Sequence, residues 1–121
     1  YDAGLGFCVA LSKDDFIGKS ALSRIREEGP KWRLCTFTLE AEGPVMMHSS
    51  APIVCDGEVI GTTTSAGYGH TVGKTICYGY IPAEAAVGGG AFEIEVYQTV
   101  YKAHLEENHQ LYDPERKRIL A

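Results

Sequence analysis

The segment from Gly67 to Thr75 carries the residue types that most resemble a phosphate-binding loop. Such a loop has the pattern Gly-x-x-x-x-Gly-Lys-Ser/Thr and opens a helix, whose N-terminal amides hold the phosphates. Here Tyr68 stands five positions before Gly73, and Gly69 is one residue too close. The residues that follow alternate as in a strand. The pattern therefore disfavours nucleotide binding and predicts a long glycine-rich connection between two strands.

The four cysteines and four histidines are scattered along the chain. The cysteines lie 27, 20 and 22 positions apart, without the close pair that a structural zinc site takes from one turn. This spacing argues against a metal site. Two disulfides remain an alternative, but apolar and β-forming neighbours favour reduced core thiols and hence a reducing compartment. The residues are Cys8, Cys35, Cys55, Cys77, His48, His70, His104 and His109.

No local pattern assembles a catalytic group. A cysteine–histidine pair is conceivable, but an activated thiolate needs an electropositive setting that an acidic chain does not offer. The paired carboxylates at 14–15 and 106–107 are typical of a helix cap and a solvated strand end. The tyrosines could stack on a flat ring, although half-buried strand positions account for most of them. The residues alone therefore identify no catalytic side chain.

The charge balance limits the partners of the chain. Its 121 residues include 16 acidic side chains against 11 Lys and Arg, which gives a net charge of −5. Nucleic-acid binding, which needs a concentrated basic surface, is not expected. No apolar run approaches the roughly 18 residues of a membrane span, so no membrane contact is expected. Because the chain starts at Tyr1 and not at Met, we expect it to be a piece of a longer chain.

The element pattern predicts a mainly β fold. Residues 4–10 are typical of a short strand, and Asp14-Asp15 suits the N-cap of one helix that Gly29-Pro30 ends. Asp56-Gly57 predicts a type I′ hairpin, and Gln98-Thr99 is the expected link between the last two strands. A small antiparallel β-barrel, jelly-roll-like, or a sandwich would follow that strand and helix. The predicted later strands are 33–39, 52–55, 58–65, 75–81, 92–97 and 100–105.

The order of short motifs resembles the aminomethyltransferase family. The opening Asp-Ala-Gly-Leu-Gly-Phe of residues 2–7 and the Asp-Asp-Phe-Ile-Gly-Lys-Ser-Ala-Leu of residues 14–22 resemble its "EAGLG…DFIG+xAL" passage. Further similar stretches follow in order to residue 118. The family includes the glycine cleavage T protein and the C-terminal parts of dimethylglycine and sarcosine dehydrogenases. The stretches at 65–74 and 112–114 resemble the dehydrogenase-fused branch more closely.

This resemblance implies a shared cofactor chamber. In such proteins three domains surround tetrahydrofolate, so residues 1–30 would be the tail of the preceding folate-binding domain and residues 31–121 the C-terminal barrel. The parent would move an aminomethyl or N-methyl carbon onto tetrahydrofolate, with FAD in an upstream domain of the fused members. It would lie in the cytoplasm or the mitochondrial matrix. The family places its catalytic carboxylate in an N-terminal domain, so we expect this piece alone to be inactive.

The resemblance also implies candidate folate contacts. Family members bring a Tyr or Arg near the C-terminus toward the folate tail or a partner protein, and basic groups suit its carboxylates. A solvated basic tail is an equal alternative. Met46-Met47 stands where T-protein relatives often carry an arginine, so the resemblance does not extend to an anionic contact there. The cofactor-binding candidates are Tyr112, Arg116, Arg118 and Tyr68.

A second hypothesis of another class remains open. The chain could be a non-catalytic packing or interaction module of a relative without folate chemistry. The upstream sequence would separate the two, because only a folate enzyme needs an acidic residue in the folate cavity. A stand-alone nucleotide-binding enzyme is the third and least favoured hypothesis.

Overall fold

The computed structural model describes residues 1–107 and 109–118. Within this part of the chain, a 3-10 turn and two helices accompany six strands. None of the described helices is long and apolar enough to cross a membrane. The elements in chain order are the 3-10 turn Gly6–Cys8, α1 (Lys19–Glu28), β1 (Trp32–Leu39), β2 (Pro52–Cys55), β3 (Glu58–Gly69), β4 (Lys74–Pro82), α2 (Ala83–Gly88), β5 (Phe92–Val96) and β6 (Thr99–Glu106).

The six strands close into an antiparallel barrel in the order β1-β4-β3-β2-β5-β6. Strands β2 to β4 follow one another as neighbours, whereas β1 reaches β2 through the connection 40–51 and pairs with β4. This is a Greek-key order. The barrel closes where β1 pairs with β6, from Thr36↔Glu106 to Leu39↔Ala103. The predicted mainly β fold with a small antiparallel barrel is confirmed.

Buried apolar side chains fill the barrel interior. The rings of Phe37 and Phe92 meet edge to face, with centroids 5.5 Å apart and planes at 63°, an arrangement that aromatic pairs favour. Cys35 and Cys77 lie in this core, as the expectation of core thiols requires, but Cys8 is exposed. The core residues are Cys35, Phe37, Leu39, Ile53, Cys77, Ile81, Phe92, Ile94, Val96 and Ala103.

Two buried threonines hold the connection 40–51 to the barrel. The Thr75 hydroxyl accepts the backbone N–H of Val45, and the Thr63 hydroxyl accepts that of Ala51, each at 3.0 Å. Both threonines are almost fully buried. A buried hydroxyl with no partner would be destabilising, so these bonds satisfy the threonines and fix the path of the connection.

One of the three predictions about the connections between strands is confirmed, and two are wrong. Asp56 and Gly57 have φ of 49° and 87°, which confirms the type I′ hairpin between β2 and β3. The β5–β6 turn is formed by Tyr97 and Gln98, with φ of 49° and 67°, and Thr99 already belongs to β6. The long glycine-rich connection is also wrong: β3 pairs with β4 as far as Gly69↔Lys74. Glycines do not interrupt this ladder because the paired groups belong to the backbone.

The structure of the first 19 residues differs from the predicted strand and from the predicted start of the helix. The predicted strand 4–10 is a loop with one 3-10 turn. Asp15 accepts the N–H of Phe16 and caps no helix, and α1 begins at Lys19 after Gly18, whose φ is 89°. The helix ends before Gly29, as predicted. It buries no residue, and Ile17 is fully exposed. The boundary near residue 30 stays a prediction.

A second helix, α2, is not predicted by the sequence pattern. Pro82 was expected to end the fourth strand and does, but the Ala-Glu-Ala-Ala run after it forms α2. Ala and Glu favour helices, whereas a six-residue element has too few turns to show a helical period. Ala85 and Ala86 pack against the barrel core.

We expect Gly61→Ala to destabilise the barrel. An added Cβ would lie 2.1 Å from the backbone oxygen of Tyr80 and 3.2 Å from Ile81 Cγ2. Forced overpacking of this kind lowers the free energy of unfolding by about 1–3 kcal/mol. Gly67→Ala is the matched control on the same strand, because nothing lies within 4 Å of its added Cβ. Urea unfolding of both variants measures the difference, and equal midpoints would contradict the expectation.

Candidate functional site

The C-terminal segment, residues 109–118, is linked to the outer face of β1. Thr36 and Thr38 alternate with the core residues of that strand, yet both are fully buried. The Thr36 hydroxyl lies 2.6 Å from Nδ1 of His109. The Thr38 hydroxyl donates to Oε1 of Glu106 at 2.6 Å. The two hydroxyls therefore fix the end of β6 and the start of the C-terminal segment.

Beyond His109 the C-terminal segment lines a surface cleft of about 290 Å³. The barrel side of this tyrosine cleft consists of Val72, Ile76 and Tyr78. The segment contributes His109, Gln110, Leu111, Tyr112 and Asp113. Ile76 and Tyr78 lie on the outer face of β4, because Cys77 between them is in the core. The cleft thus combines apolar walls with aromatic rings, a surface suited to a flat ligand.

Tyr112 and Arg118, two of the predicted site residues, form a pair at this cleft. The Arg118 Nη1 donates to the Tyr112 hydroxyl at 3.0 Å, and its guanidinium carbon lies 5.6 Å from the ring centroid. This geometry combines a hydrogen bond with a cation–π contact. Tyr112 keeps 46% of its surface exposed. The pair therefore places a positive charge beside the tyrosine cleft, where a ligand can reach it.

Arg116, the third candidate, takes part through its backbone. Its φ is 56°, and its N–H donates to the carbonyl of Asp113 at 2.8 Å. The side chain is exposed. Arg116 thus belongs to the turn that brings Arg118 back to Tyr112.

Tyr68, the fourth candidate, lines the neighbouring cleft. It lies near the end of β3, and its ring meets that of His70 edge to face at 5.1 Å. Its cleft, of about 350 Å³, shares Ile76 and Tyr78 with the tyrosine cleft. The structure therefore brings all four candidates to one side of the barrel, with Tyr68 in an adjoining cleft.

Sequence reasoning missed the groups that hold this surface together. Thr36, Thr38, His109 and Asp113 were not among the candidates. The one available signal was a strand with threonines opposite an apolar face, a pattern that usually means a solvated face. Here a distant segment covers them, and such long-range contacts leave no local pattern.

The core thiols are poor nucleophiles. Burial raises the pKa of Cys77 to about 12. Burial also raises the pKa of Cys35, although the Arg33 charge opposes this. A thiolate, and not a thiol, is the nucleophile. The described geometry therefore gives no support to a cysteine–histidine catalytic pair that uses a core thiol.

The rest of the described surface brings together none of the four predicted residues. In residues 1–107 and 109–118, no group of three His, Cys, Asp or Glu side chains could hold a metal ion. A larger cleft of about 520 Å³ lies between α2, the start of β1 and the end of β6. It contains Arg33, Glu106 and Glu107 but none of the four predicted residues.

Comparison with known proteins identifies the domain. A family model described as the glycine cleavage T-protein C-terminal barrel domain matches residues 33–113. The chain belongs to this family. The resemblance to aminomethyltransferases is thereby confirmed. A crystal structure of the glycine cleavage system aminomethyltransferase T from Bartonella henselae matches 93% of this chain and 32% of that chain, with a TM-score of 0.78 and 21% identity. It shares the fold of this barrel domain.

Two relatives of the barrel domain are much longer proteins. Human mitochondrial dimethylglycine dehydrogenase is 36% identical over 120 residues, which make up 98% of this chain and 14% of that protein. An aminomethyltransferase of Symbiobacterium thermophilum is 33% identical over 117 residues, or 96% of this chain and 31% of that protein. The chain therefore corresponds to a small part of either relative.

We expect alkylation to distinguish the exposed thiol from the core thiol. Cys8 is exposed, whereas Cys77 is fully buried and has its pKa raised to about 12. A thiol with that pKa is ionised in about one molecule in ten thousand at pH 8. Iodoacetamide at pH 8 should label Cys8 first, and Cys77 should react only as the barrel unfolds in urea. Mass spectrometry of the peptides measures both rates, and rapid native labelling of Cys77 would contradict this result.

Proposed function

We propose that this barrel domain forms one wall of the tetrahydrofolate site in a longer one-carbon transferase. The parent would accept an aminomethyl or N-methyl carbon onto tetrahydrofolate and would be fused to an FAD-dependent dehydrogenase of the N-methylglycine type. Residues 31–121 would be its C-terminal barrel, and residues 1–30 the tail of the preceding folate-binding domain. The high coverage of this chain against a small part of dimethylglycine dehydrogenase supports a multidomain parent.

The observation that carries the proposal is the Tyr112–Arg118 pair beside the tyrosine cleft. Folate joins flat aromatic rings to a glutamate tail that ends in carboxylates. The cleft offers Ile76 and Tyr78 as apolar and aromatic surface, and Arg118, bonded to Tyr112, offers a cation beside it. Asp113 also lines the cleft, but both of its carboxylate oxygens accept backbone N–H groups. Guanidinium–carboxylate contacts are among the stronger polar interactions in proteins. The residues present therefore fit an anionic aromatic ligand.

The barrel would bind and orient, while other domains carry the chemistry. Tetrahydrofolate supplies the amine nitrogens that accept the carbon. Among residues 1–107 and 109–118, the buried polar side chains are those of the four threonines 36, 38, 63 and 75. General acid–base catalysis needs a positioned titratable group. The buried titratable groups in this part of the chain are the thiols of Cys35 and Cys77, and burial raises the pKa of both. The arrangement supports orientation of the ligand as the role of this domain.

The N-terminal part of the chain supports a location against another domain. Phe7 exposes 85% of its surface and Ile17 is fully exposed, while α1 buries no side chain. These exposed apolar side chains support the proposal that another protein body covers this part of the surface. The backbone N–H of Leu34 donates to the carbonyl of Asp2 at 2.7 Å, so this part stays joined to β1.

The proposal is tested by the affinity of the complete polypeptide for tetrahydrofolate. We expect Arg118→Ala to weaken binding about tenfold or more, because a charge-assisted hydrogen bond contributes about 1.5–3 kcal/mol. Lys117→Ala is the matched control. It removes the same charge from the adjacent position, but the Lys117 side chain pairs with Glu115 and not with Tyr112. Anaerobic calorimetry measures both dissociation constants.

The outcomes separate the proposed function from its alternative. A selective loss in Arg118→Ala supports a specific contact, whereas equal losses in the two variants would reduce it to a general charge effect. Absence of saturable tetrahydrofolate binding by the complete wild-type polypeptide would favour the packing module without folate chemistry. Formaldehyde release is a second measurement. A dehydrogenase that does not pass its carbon to folate releases formaldehyde.

A further inference from the structure

One carboxylate organises the turn that follows Tyr112. Asp113 Oδ1 accepts the N–H of Lys117 at 2.9 Å, and Oδ2 accepts the N–H of Arg118 at 2.8 Å. Its carbonyl accepts the N–H of Arg116 at 2.8 Å. Asp113 and Arg116 both have positive φ, of 51° and 56°. The turn therefore depends on bonds to one residue, and both carboxylate oxygens take part.

This turn fixes Arg118 at both ends. The carboxylate of Asp113 holds its backbone N–H, and the hydroxyl of Tyr112 receives its guanidinium at 3.0 Å. A long arginine side chain on a surface otherwise samples many rotamers. Here the bond to Asp113 fixes the backbone of Arg118, and the bond to the Tyr112 hydroxyl fixes its guanidinium.

The pair presents hydrogen-bond donors to a ligand. The Tyr112 oxygen accepts from Arg118 Nη1, so the phenolic hydrogen is directed elsewhere and is available to donate. A guanidinium has five N–H groups and no acceptor. The charge and the donors together select a ligand group that is negative and accepts hydrogen bonds, which is the chemistry of a carboxylate.

We propose that Asp113 is the positioning residue that sets Arg118 and Tyr112 to bind the ligand's carboxylate. The inference deepens the proposed function and rests on it, because it takes the ligand to be a folate. Asp113 lines the cleft as well, but both of its carboxylate oxygens accept backbone N–H groups, so its role is to act through Arg118. Without its carboxylate the turn loses bonds to Lys117 and Arg118, and the guanidinium loses its fixed starting point.

The sign of the charge effect makes this inference testable. Asp113 is itself negative, and a negative group near an anionic ligand repels it. If Asp113 acted only through its charge, its removal would strengthen folate binding. A positioning role predicts the opposite, because a displaced Arg118 costs more affinity than the lost repulsion returns.

The experiment measures tetrahydrofolate binding to the complete polypeptide with Asp113→Asn, Arg118→Ala and the double variant. Asparagine keeps the shape of the side chain but can accept with only one of its two terminal atoms. We expect Asp113→Asn to raise the dissociation constant about fivefold to tenfold, and the double variant to match Arg118→Ala alone. Glu115→Gln is the matched control. It removes an acid two positions away that pairs with Lys117, and it should leave binding unchanged or slightly tighter.

Each outcome decides a different statement. Unchanged or tighter binding in Asp113→Asn, together with a loss in Arg118→Ala, would overturn the positioning role and leave the proposed function standing. Additive losses in the double variant would also overturn it, because the two residues would then act separately. No effect of Arg118→Ala in a polypeptide that does bind tetrahydrofolate would overturn the positioning role and the proposed contact together. Circular dichroism of each variant checks that the barrel remains folded.

Discussion

The structure depends on β1 being buried on both of its faces. Its inner residues belong to the apolar core, while the hydroxyls of Thr36 and Thr38 are covered on the outer side. A polar group taken out of water is destabilising unless it finds a partner. Glu106 and His109 are those partners, at 2.6 Å each. Barrel closure and the placement of the C-terminal segment therefore follow from the same strand.

This arrangement connects the fold with the candidate site. The side chain of His109 meets β1, and the tyrosine cleft begins at the same residue. Tyr112 lines this cleft together with Ile76 and Tyr78 of the neighbouring strand β4. Because β1 and β4 pair along most of their length, the anchor and the cleft share one rigid surface. The positions of binding groups supported by packed strands are more precise than those of groups on a free tail.

The sequence predicted the parts of this fold that depend on local pattern. Alternation located β1, β4 and β5 to within a few residues, and Asp56-Gly57 located one hairpin. Local pattern failed at α2, which is too short to show a period, and at residues 4–10, where Leu5 and Phe7 are exposed. The resemblance to a family supplied Tyr112 and Arg118. Their pairing was not predictable. It requires the turn that Asp113 organises and the packing of the C-terminal segment on the outer face of β1.

The hairpin between β5 and β6 has a consequence for the end of the barrel that it shares with the connection 40–51. Tyr97 and Gln98 both adopt left-handed backbone conformations without being glycine, which is unfavourable by about 1–2 kcal/mol per residue. The ring of Tyr97 meets His48 edge to face at 5.9 Å and so touches the long crossover that follows β1. The contact between the Tyr97 and His48 rings offsets part of this cost, and it links the β5–β6 turn to the connection 40–51. A neighbouring domain that packs against this end would therefore meet a preformed surface.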